Sequence, residues 1–275
     1  MSDFQYEVSR ESLEPALASV FVESHEDREL TDFIQYCMEH PHTLMELTLL
    51  PLLCVFMTAY EAHGVLGMYP MHLLGSAQWE MLVPQRLRGG RLLDVGAGQG
   101  FVTEYARPLF KEIVATETAK SMAVRLRARG FETCTEDITY CPELFLKKSF
   151  DVVSILNVLD RCDKPRTLLQ NARSFLKDDG VLIISDPLPL SQHVRSSSKR
   201  PIENLGADTG TWEHCLNDFY INTVLPAGLT PILVSRLPYV YRNIKHEPCV
   251  VLDDFVMVCA KLPEASPIES TLPPR

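Results

Sequence analysis

The sequence predicts an α/β protein built on a seven-stranded, mostly parallel sheet whose last strand runs antiparallel, with a helical cap at its N-terminus. Three observations carry this expectation. Residues 1–75 follow a helical apolar pattern, and from residue 91 short apolar runs alternate with amphipathic stretches. The final two apolar runs have no helix between them.

In chain order, Leu30, Phe33, Ile34 and Cys37 recur at the i, i+3, i+4, i+7 spacing of one helix face, and Pro41 marks a break. The most apolar run, 47–60, is too short to span about 30 Å of hydrocarbon, is interrupted by Pro51 and has Glu46 and Glu61 at its ends. A buried helix is expected there. Strands are expected at 91–97, 112–117, 131–136, 150–157, 180–187, 231–238 and 254–261, and helices at 101–110, 119–129, 165–177 and 212–225. Helical crossovers of that length make consecutive strands parallel. Residues 239–253, with Pro248, are too few for a crossover helix, so the last two strands are read as an antiparallel hairpin carrying a functional loop. The organisation is therefore an N-terminal extension at 1–75, a main domain at 76–262, and a Pro/Ser-rich tail at 263–275 that is expected to be disordered.

Composition narrows the function classes. With 46% hydrophobic and 23% charged residues, the 275-residue chain has the balance of an ordinary globular protein. A net charge of -10 opposes a nucleic-acid partner, because such binding draws on clustered Lys and Arg. The short basic groups Arg125/Arg127/Arg129 and Arg195/Lys199/Arg200 read as solvated faces. Eight cysteines without a CxxC pair or a Cys/His cluster give no zinc site and read as reduced thiols. The polar, acidic start lacks the features of a secretory signal, so an intracellular, cytoplasmic protein without a membrane span is expected.

The strand at 91–97 runs into Gly96-Ala97-Gly98-Gln99-Gly100 and then a helix, placing glycines where backbone must turn tightly beside a ligand. Phe101 stands where a dinucleotide-binding loop needs its third glycine for close helix packing, which disfavours NAD and FAD. Glu117 ends the next strand, where a carboxylate can accept from both hydroxyls of an unphosphorylated ribose. A mostly parallel seven-stranded sheet closed by an antiparallel hairpin resembles the class I, Rossmann-like methyltransferase fold, which implies S-adenosylmethionine as cofactor and S-adenosylhomocysteine as product. In that fold the position of Asp94 commonly carries an acid that helps to orient the methionine end. Asp137 and Ile138 sit where the adenine amino group and ring are usually met; Glu136 is the alternative acceptor.

The acceptor side belongs at the end of the strand 150–157, where Asn157-Val158-Leu159-Asp160-Arg161-Cys162-Asp163 should face the cofactor from the carboxyl edge of the sheet. The (D/N/S)PP(Y/F) tetrapeptide of amino-methylating nucleic-acid enzymes is absent. The segments LLDVGAGQG (92–100), VTE (102–104), EIVATE (112–117), LNVLDRCDKP (156–165), RLPY (236–239) and VLDD (251–254) together resemble the DREV-type methyltransferase-like family of protein histidine N-pros-methyltransferases. The resemblance runs from about residue 75 to the final strand, and the combination of the last three segments is its distinctive part. It implies methylation of the pros nitrogen, Nδ1, of histidine in His-x-His segments of protein substrates, with Asn157, Asp160 and Tyr239 gripping the imidazole.

Those residue types suit the task. Neutral imidazole carries one proton, and only its bare nitrogen can attack a methyl group. A carboxylate at Asp160 accepting from Nε2–H would leave Nδ1 bare and stabilise the imidazolium that forms, while Asn157 and Tyr239 would fix the ring plane. Each has a structural alternative: Asn157 as a turn cap, Asp160 paired with Arg161 or Lys164, Tyr239 as a core ring. Gln99, Asp186-Pro187 and Tyr241-Arg242-Asn243 depart from the family pattern, and residues 1–70 share only helical character with it. His40-Pro41-His42 is itself a His-x-His segment, so self-methylation is a further question, while His193 and His246 read as surface or core histidines, His193 being the one to test. Alternatives from other classes are a methyltransferase for a small imidazole or amine metabolite, and a non-catalytic binding module on the same scaffold.

Overall fold

The computed structural model describes residues 4–145, 147–193, 201–206, 209–243 and 247–262. The expected basic group Arg195/Lys199/Arg200, His246 and the tail 263–275 lie outside them. The elements in chain order are α1 (Pro15–Val20), α2 (Arg28–Glu39), α3 (Leu44–Leu53), α4 (Ala59–Leu66), β1 (Met71–His72), α5 (Ser76–Leu82), β2 (Arg91–Val95), α6 (Phe101–Ala106), β3 (Glu112–Thr116), α7 (Lys120–Ala128), β4 (Glu132–Cys134), β5 (Phe150–Leu156), α8 (Pro165–Phe175), β6 (Leu176–Pro187), α9 (Trp212–Phe219), β7 (Leu229–Arg242) and β8 (Cys249–Lys261).

The strands form one sheet in the order β1-β7-β8-β6-β5-β2-β3-β4. Pairs among β2 to β6 are parallel, and β8 inserts antiparallel between β6 and β7. The strand order reverses between β2 and β5, leaving a crevice at their carboxyl ends. Alternate side chains go to opposite faces: Leu93, Val153, Leu182 and Ile184 join one core cluster, Leu92, Val152, Val181 and Ile183 the other. Burial on both faces explains why these strands read as continuous apolar runs.

The sheet has eight strands where the sequence predicts seven. The added one, β1, pairs through Met71 with Tyr241 and through His72 with Val240; two residues after Pro70 are too few to show a period. The hairpin extends through much of the expected functional loop, so Tyr239 lies within β7 opposite Leu252. Pairing with β1 and β8 on its two sides carries β7 beyond the apolar run that marks it in the sequence.

The expectation of a buried helix at 47–60 is overturned. Helix α3, opened by a Thr43–Glu46 capping box, has no buried residue, and Leu44, Val55 and Phe56 are 83%, 74% and 79% exposed. Being apolar all round, the run offers no polar face to betray its position. Thr58 then caps α4 by accepting from Glu61 N at 3.2 Å. Helix α4 packs on α7, and Glu61 reaches across to accept from Lys120 N at 2.8 Å and Ser121 N at 2.9 Å, satisfying two donors at the start of α7.

Candidate active site

Strand β2 ends in a turn whose glycines occupy the left-handed region, with φ of 71° at Gly96, 58° at Gly98 and 80° at Gly100. A Cβ on Gly96 would meet Val158 Cγ2 at 2.6 Å, whereas one on Gly98 would meet only Met71 Cε at 4.0 Å. Gly98 thus presents bare backbone to a cavity of about 490 Å³ at the carboxyl edge of the sheet, lined by Gly96, Gly98, Glu117, Asp137, Ile138, Asn157, Arg161 and Tyr239 among others. Pockets of roughly 300–1,000 Å³ suit cofactors and small ligands.

Glu117, 2% exposed, closes the far side of the loop. Its carboxylate accepts from Gly98 N at 2.9 Å and Ala119 N at 2.7 Å, and Tyr60 Oη lies 3.4 Å from it. Glu117 is thus held by donors from the loop, from the start of α7 and from Tyr60 while its side chain lines the cavity. Asp137 accepts from Thr139 N at 2.8 Å, a local turn that sets Ile138 against the cavity.

Three expected cofactor residues do not line the cavity. Asp94 is spent inside the protein, accepting from Thr103 Oγ1 at 2.5 Å and Ser154 Oγ at 2.6 Å, and so staples β2 to α6 and β5. Burial pushes the Asp94 carboxyl above the usual carboxylate range against the pull of those two hydroxyls. Ala97 and Gly100 act through the turn: Ala97 N donates to Thr116 O at 3.0 Å, and Gly100 N to Ala97 O at 2.9 Å.

At the end of β5, Asn157 adopts a φ of 58°, a conformation Asn tolerates better than most residues, while its N–H donates to Ser185 O at 2.8 Å. The following turn, Leu159–Arg161, sends Arg161 to the cavity and Asp160 behind its wall. Asp160, 3% exposed, lies 3.3 Å from Arg161 Nε, so the pairing open from sequence is present. Its N–H approaches Asp186 Oδ1 at 3.4 Å, and its carbonyl accepts from His193 N at 2.8 Å. Burial works against the charge of Arg161, but Asp160 with Tyr239, Tyr69 and Asp186 outweighs it and keeps the guanidinium protonated. Tyr239, 1% exposed, does reach the cavity, with its hydroxyl 3.5 Å from Met71 Sδ. Cys162 is also on the wall, where burial pushes its thiol up to about 11 and leaves it protonated and a poor nucleophile.

Sequence reasoning misses Arg161 as a wall residue and misses Thr58, Tyr60 and Glu61 altogether. The Thr58-x-x-Glu61 pattern signals a helix start, but nothing local reveals that α4 docks on α7 and walls the cavity. The His40-Pro41-His42 segment is not poised for self-methylation: His40 Nδ1 lies 3.0 Å from Tyr36 O, and His42 Nδ1 lies 3.0 Å from Arg242 Nη2. His193 is exposed, with Nδ1 2.9 Å from Ser191 O.

A family model described as DREV methyltransferase matches residues 5–261, nearly the whole chain. The chain belongs to the DREV methyltransferase family. Among curated proteins it is 27% identical over 129 residues to a ubiquinone biosynthesis O-methyltransferase of Glaesserella parasuis and 30% identical over 127 residues to one of Haemophilus ducreyi. Each match covers 42% of this chain and 54% of the relative, so the chain spans about half the length of the curated relatives it matches. A solved structure of a candidate methyltransferase from Bacillus halodurans is similar over 68% of this chain and 99% of that one, at 16% identity and a TM-score of 0.51, and supports the fold. DREV membership and the methyltransferase fold make S-adenosylmethionine the cofactor. Among the described residues no helix is long and apolar enough to cross a membrane, and no group of three or more His, Cys, Asp or Glu is arranged to hold a metal ion.

Proposed function

We propose that this DREV-family protein transfers a methyl group from S-adenosylmethionine to Nδ1 of a histidine in His-x-His segments of proteins. The observation that carries the reading is that Asn157 and Tyr239 line the same cavity as Gly98 and Glu117. When bound, the cofactor supplies an electrophilic methyl group on a sulfonium. Glu117 holds the ribose, Asp137 and Ile138 take the adenine, and the backbone of Gly96 and Gly98 admits close approach of the methionyl end.

For the acceptor, Asn157 and the Tyr239 hydroxyl fix the plane of the imidazole. Asp160 takes the Nε2–H hydrogen bond once Arg161 swings from its present 3.3 Å contact, leaving Nδ1 bare for in-line attack. Its carboxylate then offsets the positive charge that develops on the ring. Holding the two reactants in near-attack geometry supplies several kcal/mol of the barrier reduction without a covalent step.

The test is incubation with labelled S-adenosylmethionine and a His-x-His peptide, beside free histidine as a small imidazole. Label on peptide Nδ1 is expected, with Asp160→Ala lowering the rate about 10²-fold. No label on the peptide sinks the protein-histidine reading, and label on free histidine alone moves the acceptor to metabolites. Full-rate peptide labelling by Asp160→Ala removes the role of Asp160 and keeps the activity.

A further inference from the structure

From sequence, the N-terminal extension carries no site residue, yet in the fold it supplies Thr58, Tyr60 and Glu61 to the cavity wall. All three stand at the start of α4, and the docking of α4 on α7 sets their positions. Gly64 leaves no gap between the helices, since a Cβ there would meet Ser121 Oγ at 2.1 Å. Arg125 of α7 holds the far end, with Nε and Nη2 donating to Gly64 O and Val65 O. At the near end Glu61 accepts from Lys120 N and Ser121 N, and Ser121 Oγ donates to Glu61 O at 2.9 Å. Helix α4 is thus fixed to α7 at both of its ends.

Glu117 lies just before α7, so the same joint brings Tyr60 to it. Tyr60 Oη donates to Glu117 Oε2 at 3.4 Å, and that oxygen also accepts from Gly98 N at 2.9 Å. The other two wall residues have their oxygens committed elsewhere: Thr58 Oγ1 caps α4 by accepting from Glu61 N, and each Glu61 carboxylate oxygen accepts from one backbone N–H of α7. Tyr60 is the one whose polar group meets the carboxylate assigned to the ribose. Its contact is long, because hydroxyl donors hold oxygen acceptors at about 2.5–3.0 Å.

We propose that Tyr60 is a cofactor-binding residue, its hydroxyl donating to a ribose oxygen of S-adenosylmethionine whose own hydrogen goes to Glu117. A ribose hydroxyl both donates and accepts, whereas an ionised carboxylate only accepts. The ribose oxygen therefore takes its donor from another group, and the Tyr60 hydroxyl stands beside Glu117 Oε2 in the same cavity. Binding exchanges a long hydrogen bond within the protein for one to the ligand, while Glu117 keeps its two backbone donors. The extension then has a function of its own: α4 supplies a donor to the ribose where the end of β3 supplies the acceptor.

The inference rests on the assignment of the ribose to Glu117, and one set of calorimetric titrations on the full-length protein separates the two. Tyr60→Phe keeps the ring and removes the hydroxyl, and should raise the Kd for S-adenosylhomocysteine about three- to tenfold. The 2′-deoxy and 3′-deoxy forms of that ligand identify the contact. For the form lacking the hydroxyl that Tyr60 engages, wild type and Tyr60→Phe should bind within about 1.5-fold of each other. A Tyr60→Phe protein that binds S-adenosylhomocysteine itself within about 1.5-fold of wild type overturns the proposal. So does a penalty that stays at about three- to tenfold with both deoxy forms, because the effect then travels through the packing of α4 and not through the ribose. Glu117→Gln is titrated beside them. If it binds as tightly as wild type and both deoxy forms bind as tightly as the parent ligand, the ribose reading falls and takes the role of Tyr60 with it. If Glu117→Gln weakens binding and Tyr60→Phe does not, the ribose reading stands and the role of Tyr60 alone falls.

Discussion

Replacing Glu117 tests the cofactor half of the site in isolation. Its carboxylate is 2% exposed and engages one backbone donor per oxygen, Gly98 N at 2.9 Å and Ala119 N at 2.7 Å. Glu117→Gln keeps the shape but points an amide NH₂ at one of these donors, so the folded protein should lose about 1–3 kcal/mol. For the cofactor, two ribose hydroxyls exchange a charged acceptor for a half-occupied neutral one. At about 1.5–3 kcal/mol for each hydrogen bond to a charged group, partly recovered by the amide oxygen, the loss comes to about 3–4 kcal/mol, or a Kd raised about 10²- to 10³-fold. Calorimetric titration with S-adenosylhomocysteine reads the affinity, and urea unfolding reads the stability. A well-folded Glu117→Gln protein that binds within about threefold of wild type would refute the assignment of the ribose to this carboxylate.

Three further outcomes are expected. Gly96→Ala combines a φ of 71° with a Cβ placed 2.6 Å from Val158 Cγ2, so it should destabilise the fold by about 1–3 kcal/mol in urea titration and weaken S-adenosylhomocysteine binding in parallel. Arg236 grips Asp253, donates to Glu7 O at 2.9 Å and stacks 5.2 Å from the Trp212 ring, so Arg236→Ala should cost about 1–3 kcal/mol, of which a double-mutant cycle with Asp253→Ala assigns about 1 kcal/mol to the ion pair. Burial pushes Glu61 upward, but hydrogen bonds from Ser121 and Lys120 outweigh it and hold the carboxyl below its ordinary 4.5. A folded value below the unfolded one gives stability that is full above the ordinary range and lost as pH falls through the folded value, so Glu61→Gln should flatten the acid limb of a stability profile below about pH 4.5.

The parallel half of the fold was legible because strands buried on both faces leave apolar runs such as 181–184, and because the glycines of Gly96-Ala97-Gly98-Gln99-Gly100 need no tertiary information to be read as a tight turn between strand and helix. The edges of the fold were not. Strand β1 exists only because β7 offers Val240 and Tyr241 as partners, and the exposure of α3 is invisible in a run that is apolar all round. In the site, residue type was legible and direction was not: Asn157 and Tyr239 face the cavity, while a tight turn exchanges the expected places of Asp160 and Arg161. Asp94 shows the same limit, since a sequence cannot tell that Thr103 and Ser154 take both of its oxygens.

The N-terminal segment is tied to partners far along the chain. Ser9 N donates to Glu213 Oε1, Glu14 N to Asn217 Oδ1, and Arg236 to Glu7 O, across separations of 204, 203 and 229 residues. Leu13, Leu17 and Phe21 share a core cluster with Val234, which belongs to β7. During synthesis these early residues have no seat until β7 has left the ribosome, so their apolar faces wait exposed while the parallel strands assemble. Contacts of such long range close slowly and leave intermediates open to aggregation, which makes the docking of residues 7–22 a late, chaperone-sensitive event in the folding of this protein.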